Sequence, residues 1–193
     1  TTASSATAAF AISGGTVRAL STSSIGSNIT ATGTGTIRLD GAVTLTASRT
    51  FQTVGGTILF GTTVDGAAAG AQAMTADSGT GTVTFTGTVG GATSLASLTV
   101  TGSGGITLRS VTTAGAQTYN NPVTLGGFTT LTGTIPTFTG GVSSPGSSLV
   151  LNFSGTTTIE GATFTGINNL TTGNGGTTQL TGLISTLLAQ TDN

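Results

Sequence analysis

The chain has 193 residues, of which only four Arg and five Asp or Glu carry a formal charge, giving a net charge of −1. That 5% charged content lies far below the roughly one quarter usual in soluble domains. It excludes a nucleic-acid partner, which needs clustered Lys or Arg against phosphates. No apolar run approaches the roughly 18 residues of a membrane span. Lys, His, Cys and Trp are absent, whereas Thr occurs 48 times and Gly 33 times. Thr, Val and Ile are stiff at χ1 and fit a pleated surface, so the composition reads as ordered β structure solvated by hydroxyls.

From the N-terminus, residues 1–28 match the remainder poorly and read as an N-terminal segment or cap, while 29–193 read as one repeat array. The chain begins with Thr1, so a processed or trimmed polypeptide is expected. A strand over residues 36–39 would place Arg38 and Asp40 on one face, as a surface ion pair of little energetic weight. Further along, Val83 and Phe85 alternate with Thr82, Thr84 and Thr86, and Leu98 and Val100 alternate with Thr99 and Thr101. Ile106 and Leu108 flank Thr107; Val123 and Leu125 flank Thr124; Leu149, Leu151 and Phe153 continue the pattern. Period-two alternation buries one set and solvates the other. Gly90-Gly91, Gly104-Gly105, Gly126-Gly127 and Gly140-Gly141 separate these short runs as turns. Leu180, Leu183, Ile184, Leu187 and Leu188 fall at helical spacing, but Ile184–Thr191 aligns with Val111–Thr118, which favours strand over a capping helix.

A longer repeat overlies this pattern. Val43-Thr44-Leu45 with Thr50-Phe51 matches Val123-Thr124-Leu125 with Thr130-Leu131, and Ala116–Asn120 matches Ala189–Asn193. Gly102–Gly105 likewise anticipates Gly173–Gly176. Offsets of 71 to 80 residues predict about two and a half degenerate copies, with the chain stopping inside one. An antiparallel β-sandwich and a parallel β-solenoid both suit the short strands. Repetition favours the solenoid, with roughly nine coils of ~20 residues in a rod of ~45 Å.

The phrases TVTFTGTVGGATSLASLTVTG, VTTAGAQTYNNPVTLGGFTTLTG and NNLTTGNGGTTQLTG resemble the repeats of very large bacterial surface proteins. They are similar to filamentous-haemagglutinin-type adhesins of two-partner secretion, over about residues 29–193. The resemblance implies a right-handed parallel β-helix, export to the cell surface, and a role in adhesion or extracellular scaffolding. It brings no catalytic residue with it.

The residues offer little chemistry. Ser is abundant, but no His or Lys is present to activate one. Five acidic residues are scattered without the pairing that glycoside hydrolysis needs, and Asp40, Asp65, Asp77 and Glu160 lack calcium-loop spacing. No catalytic, cofactor-binding or metal-ligating residue is therefore expected, and no enzyme. Asn120-Asn121 and Asn168-Asn169 could form stacked amide ladders or ordinary turns; Asn28, Asn152 and Asn169 begin sequons of the kind chance supplies in a Thr-rich chain. Thr-x-Thr pairs at Thr34, Thr82, Thr99, Thr130 and Thr163 suggest an ice face, but their sequence gaps are irregular. The expected role is a structural segment of an extracellular fibre or cell-surface stalk that associates with itself end to end. An adhesin module for carbohydrate or protein is the alternative; Tyr119 would be its one aromatic outside the Phe set, most of which sits at buried-looking positions.

Overall fold

The computed structural model describes residues 10–192, all strand and turn with no helix. Alternation works as a coiling instruction here. Three short strands per turn point their apolar residues inward, glycine-rich corners bend the chain between them, and the next turn stacks on the last.

The first face stacks β1 (Phe10–Ser13), β4 (Ile29–Thr32), β7 (Arg49–Thr53) and β10 (Ala73–Asp77). It continues through β12 (Ser97–Thr101), β15 (Gln117–Tyr119) and β18 (Pro136–Phe138). Beside β18 lies β21 (Thr157–Glu160), which pairs with β24 (Thr178–Thr181). The second face comprises β2 (Thr16–Ala19), β5 (Thr36–Leu39), β8 (Ile58–Phe60) and β11 (Val83–Phe85). Next on it come β13 (Ile106–Leu108), β16 (Val123–Leu125), β19 (Val142–Ser143) and β22 (Phe164–Thr165). The third face begins with β3 (Ser23–Ile25), β6 (Val43–Leu45) and β9 (Val64–Gly66), and passes through single bridges at Val89. It resumes with β14 (Val111–Thr112), β17 (Thr129–Gly133), β20 (Leu149–Phe153), β23 (Asn169–Gly173) and β25 (Ala189–Asp192).

Neighbouring strands in all of these stacks are parallel, so the protein is a β-solenoid of about eight turns and not a sandwich. The count falls short of the nine expected because turns differ in length: Ile58 lies opposite Val83, 25 residues on, but Ile106 lies opposite Val123, only 17 on. Extra residues go into the corners at 67–72 and 90–96, leaving the strand registers intact.

The core is a set of vertical files. On the second face Ile37, Ile58, Val83, Ile106, Val123 and Val142 stand above one another, and all are buried. Phe51 meets Phe60 edge to face at 5.0 Å, and Phe60 stacks on Phe85 at 5.0 Å with 5° between ring planes. Such burial stabilises by roughly 1.5–3 kcal/mol per large side chain before chain entropy is counted. At one corner a glycine file is obligatory: a Cβ on Gly104 would come within 1.9 Å of the Gly81 carbonyl oxygen, and one on Gly81 within 2.0 Å of that of Gly56. Stacked backbones leave no room there for any other residue.

Three expectations need correcting or locating. The long-repeat copies do not share a face: Val43–Leu45 is on the third face and Val123–Leu125 on the second, while Gln117–Tyr119 is on the first and Ala189–Asp192 on the third. What recurs is a strand-plus-corner unit that any face can use, so the 71-to-80-residue offset corresponds to no whole number of turns. Only Thr178–Thr181 and Ala189–Asp192 are strand near the C-terminus; residues 182–188 form an irregular crossing, so the alignment of Ile184 with Val111 does not hold. Within the proposed 1–28 segment, Phe10–Ile25 forms a coil of the same stack, paired to the next; residues 1–9 and Asn193 lie outside the described residues.

Candidate functional site

Strand alternation sends Arg18 and Arg38 outward from the second face, and parallel register sets them side by side. Two like charges so placed repel each other. Asp40, at the following corner, resolves this: Arg18 Nε donates to its Oδ2 at 2.9 Å and Arg38 Nε to its Oδ1 at 2.7 Å. The Arg18 hydrogen bond foremost, aided by Arg38 and opposed by partial desolvation, holds the Asp40 carboxyl below its ordinary range. The expected Arg38–Asp40 pair is thus part of a three-membered bridge between coils.

The other aspartates hold neighbouring segments together. Asp65 Oδ1 accepts the backbone N–H groups of Ala92 and Thr93 at 2.9 and 3.2 Å, tying together the two long corners. Asp77 accepts from Gln52 and from the Gly79 N–H, and Asp192 accepts from the hydroxyls of Thr172 and Thr178. Among the described residues no three of Asp, Glu, His or Cys gather where a metal could sit. Among the described residues the asparagines form no amide ladder; Asn121 and Asn168 donate to the carbonyls of Gly102 and Gly146 one coil earlier.

Thr-x-Thr pairs are resolved by register. On the first face Thr50, Thr75, Thr99, Thr118 and Thr137 occupy one outward file in successive coils. On the second, Thr84, Thr107, Thr124, Ser143 and Thr165 do the same. Irregular gaps in sequence become regular spacing in space because the corners absorb the difference. Each file is single, and the positions beside the first include Gln52 and Asp77, so neither face presents the double Thr rank of an ice surface.

Tyr119 is fully buried, and its burial raises the phenol above its ordinary range. Its hydroxyl donates to Gln117 Oε1 at 2.9 Å, and Gln117 Nε2 donates to the Thr132 carbonyl at 2.8 Å and to Thr113 Oγ1 at 3.2 Å. This internal network satisfies polar groups where the third face narrows to the two residues of β14. Gln117 and Tyr119 both point inward from β15, and no sequence pattern singled out Gln117. Among the residues whose burial is described, the exposed aromatic is instead Phe128, 64% exposed, at the corner after β16.

One cavity lies at the C-terminal end of the stack. It has a volume of about 240 Å³ and is lined by Ile159, Leu170, Leu180, Ile184, Gln190 and Asp192, among others. β24 and β25 each pair on one side only, and Leu180, Leu183, Leu187 and Leu188 around them are exposed. No helix of the described residues is long and apolar enough to cross a membrane. No family model, curated protein or solved structure matches the chain.

Proposed function

We propose that this protein is a non-catalytic structural segment of an extracellular fibre or cell-surface stalk, joined at its ends to further coils of the same kind. The observation that carries the reading is the C-terminal edge. There β24 and β25 present unpaired backbone groups beside an apolar mouth, and such an edge is a template for another strand. A coil from a longer parent chain or from another copy would continue all three faces. Head-to-tail stacking does not close on itself, so it builds a rod or filament.

Charge supports the same role. Asp40, Asp65, Asp77 and Asp192 are engaged in bridges and hydrogen bonds, and the central outward files of the first and second faces are chiefly hydroxyls. The resemblance of the repeats to filamentous-haemagglutinin-type adhesins agrees with export and a surface location. A second reading, an adhesin module for carbohydrate or protein on a neighbouring cell, is favoured by the exposed Phe128. Negative-stain electron microscopy of the purified chain at rising concentration tests the structural reading. Rods that lengthen with concentration are expected; isolated short particles at every concentration would reject self-stacking.

A further inference from the structure

We propose that the corner built by Arg109, Gly126, Gly127 and Phe128 is a binding site for an acidic sugar, with the carboxylate of a uronate residue on Arg109. The site goes beyond the stalk role and does not depend on how the ends of the solenoid are covered.

The four arginines are differently employed. Arg18 and Arg38 share Asp40, and Arg49 donates from Nη1 to the Ser48 carbonyl at 2.9 Å with its Nε buried. Arg109 is exposed, at the corner after β13, and has neither a hydrogen-bond nor an ion-pair partner. Its side chain crosses the corner of the next coil. A Cβ on Gly126 would lie 3.5 Å from Arg109 Cγ, and one on Gly127 only 2.9 Å from Nη1. Gly127, at φ 149°, adopts a backbone conformation that L side chains rarely take. The two glycines therefore form a bare floor on which the guanidinium rests, and Phe128 follows directly.

The chemistry around this floor matches one ligand class. A guanidinium offers a planar fork that grips a carboxylate through two parallel hydrogen bonds. A flat aromatic face suits the apolar C–H face of a pyranose ring. Thr107 and Thr124, in register on the adjoining second face, expose hydroxyls that can donate to or accept from sugar hydroxyls. A lone cation is too little for a polyphosphate backbone, and one aromatic is too little for a membrane surface.

The test is an NMR titration of the purified chain with trigalacturonate, with maltotriose as the neutral control and inorganic sulfate as the bare-anion control. Saturable shifts confined to residues 107–110 and 123–130 are expected with trigalacturonate alone. Arg109→Gln should weaken binding at least tenfold, Arg109→Lys severalfold because the fork is lost, and Phe128→Ser severalfold, while Arg18→Gln leaves it unchanged. The Lys variant keeps the charge, and unshifted amides elsewhere verify the fold of each variant. Equal shifts with maltotriose or sulfate, undiminished affinity in Arg109→Gln, or shifts centred elsewhere would overturn the site.

Discussion

The middle coils and the last coil are written in the same alternating language, yet they hold their apolar residues in opposite ways. Phe51, Phe60 and Phe85 are sealed, with at most 1% of their surface exposed, whereas Leu183 and Leu188 are 86% and 72% exposed. The difference is not hydrophobicity but the number of neighbouring coils. A middle residue is covered from above and below, and a residue at the edge from one side only. In a solenoid, burial is therefore a property of the stack, transmitted coil to coil, more than of any local sequence.

The contrast can be broken at its strongest point. Phe60→Ala removes a ring that contacts two others, and should cost about 3–5 kcal/mol in urea denaturation, because neighbouring coils are held by backbone pairing and cannot close the cavity. A loss below ~1 kcal/mol would mean that the coils relax freely. Next in size, Gln117→Leu should cost about 1–3 kcal/mol by leaving the buried Tyr119 hydroxyl without its acceptor, while the Thr132 carbonyl keeps the Thr113 N–H. Retained stability there would show that the internal network contributes only shape.

At the edge the same kind of change should do little. Leu187→Ser is expected to shift unfolding by less than ~0.5 kcal/mol, the usual range for surface substitutions, while weakening end-to-end association. The smallest effect belongs to Asp40. Its carboxyl titrates lower in the folded chain than in the unfolded one, so its contribution is present above the ordinary value of 3.8 and fades as pH falls through the depressed one. Asp40→Asn should flatten that part of the stability-versus-pH curve and leave neutral-pH folding intact; an unchanged acid limb would mean that the bridge carries no linkage.

Much of the fold was legible because alternation has a single physical meaning. Val83, Phe85, Leu98, Val100, Ile106, Leu108, Val123 and Leu125 could be assigned to the interior from period two alone, and all are buried. Parallel stacking followed from repetition. The face of each strand was not legible, because a unit such as Val-Thr-Leu with a glycine corner serves any of the three. The strand expected over residues 184–191 holds only from Ala189 on, for a related reason: Leu183, Leu187 and Leu188 lie at an edge, where an apolar pattern reports no packed neighbour. At the candidate sugar site, Gly126-Gly127 read as a turn, but the approach of Arg109 from the preceding coil is a contact across 18 residues that no local pattern encodes. Tyr119 reversed expectation, since its partner Gln117 made an interior hydroxyl affordable.

Sedimentation velocity of the wild-type chain and of a Leu187→Ser, Leu188→Ser double variant, over a hundredfold range of concentration, tests the uncovered edge most directly. The wild type is expected to sediment faster as concentration rises, with a frictional ratio that grows as rods add end to end, and the double variant to remain a monomer. A concentration-independent monomer in the wild type, with its terminal coils ordered, would contradict the account.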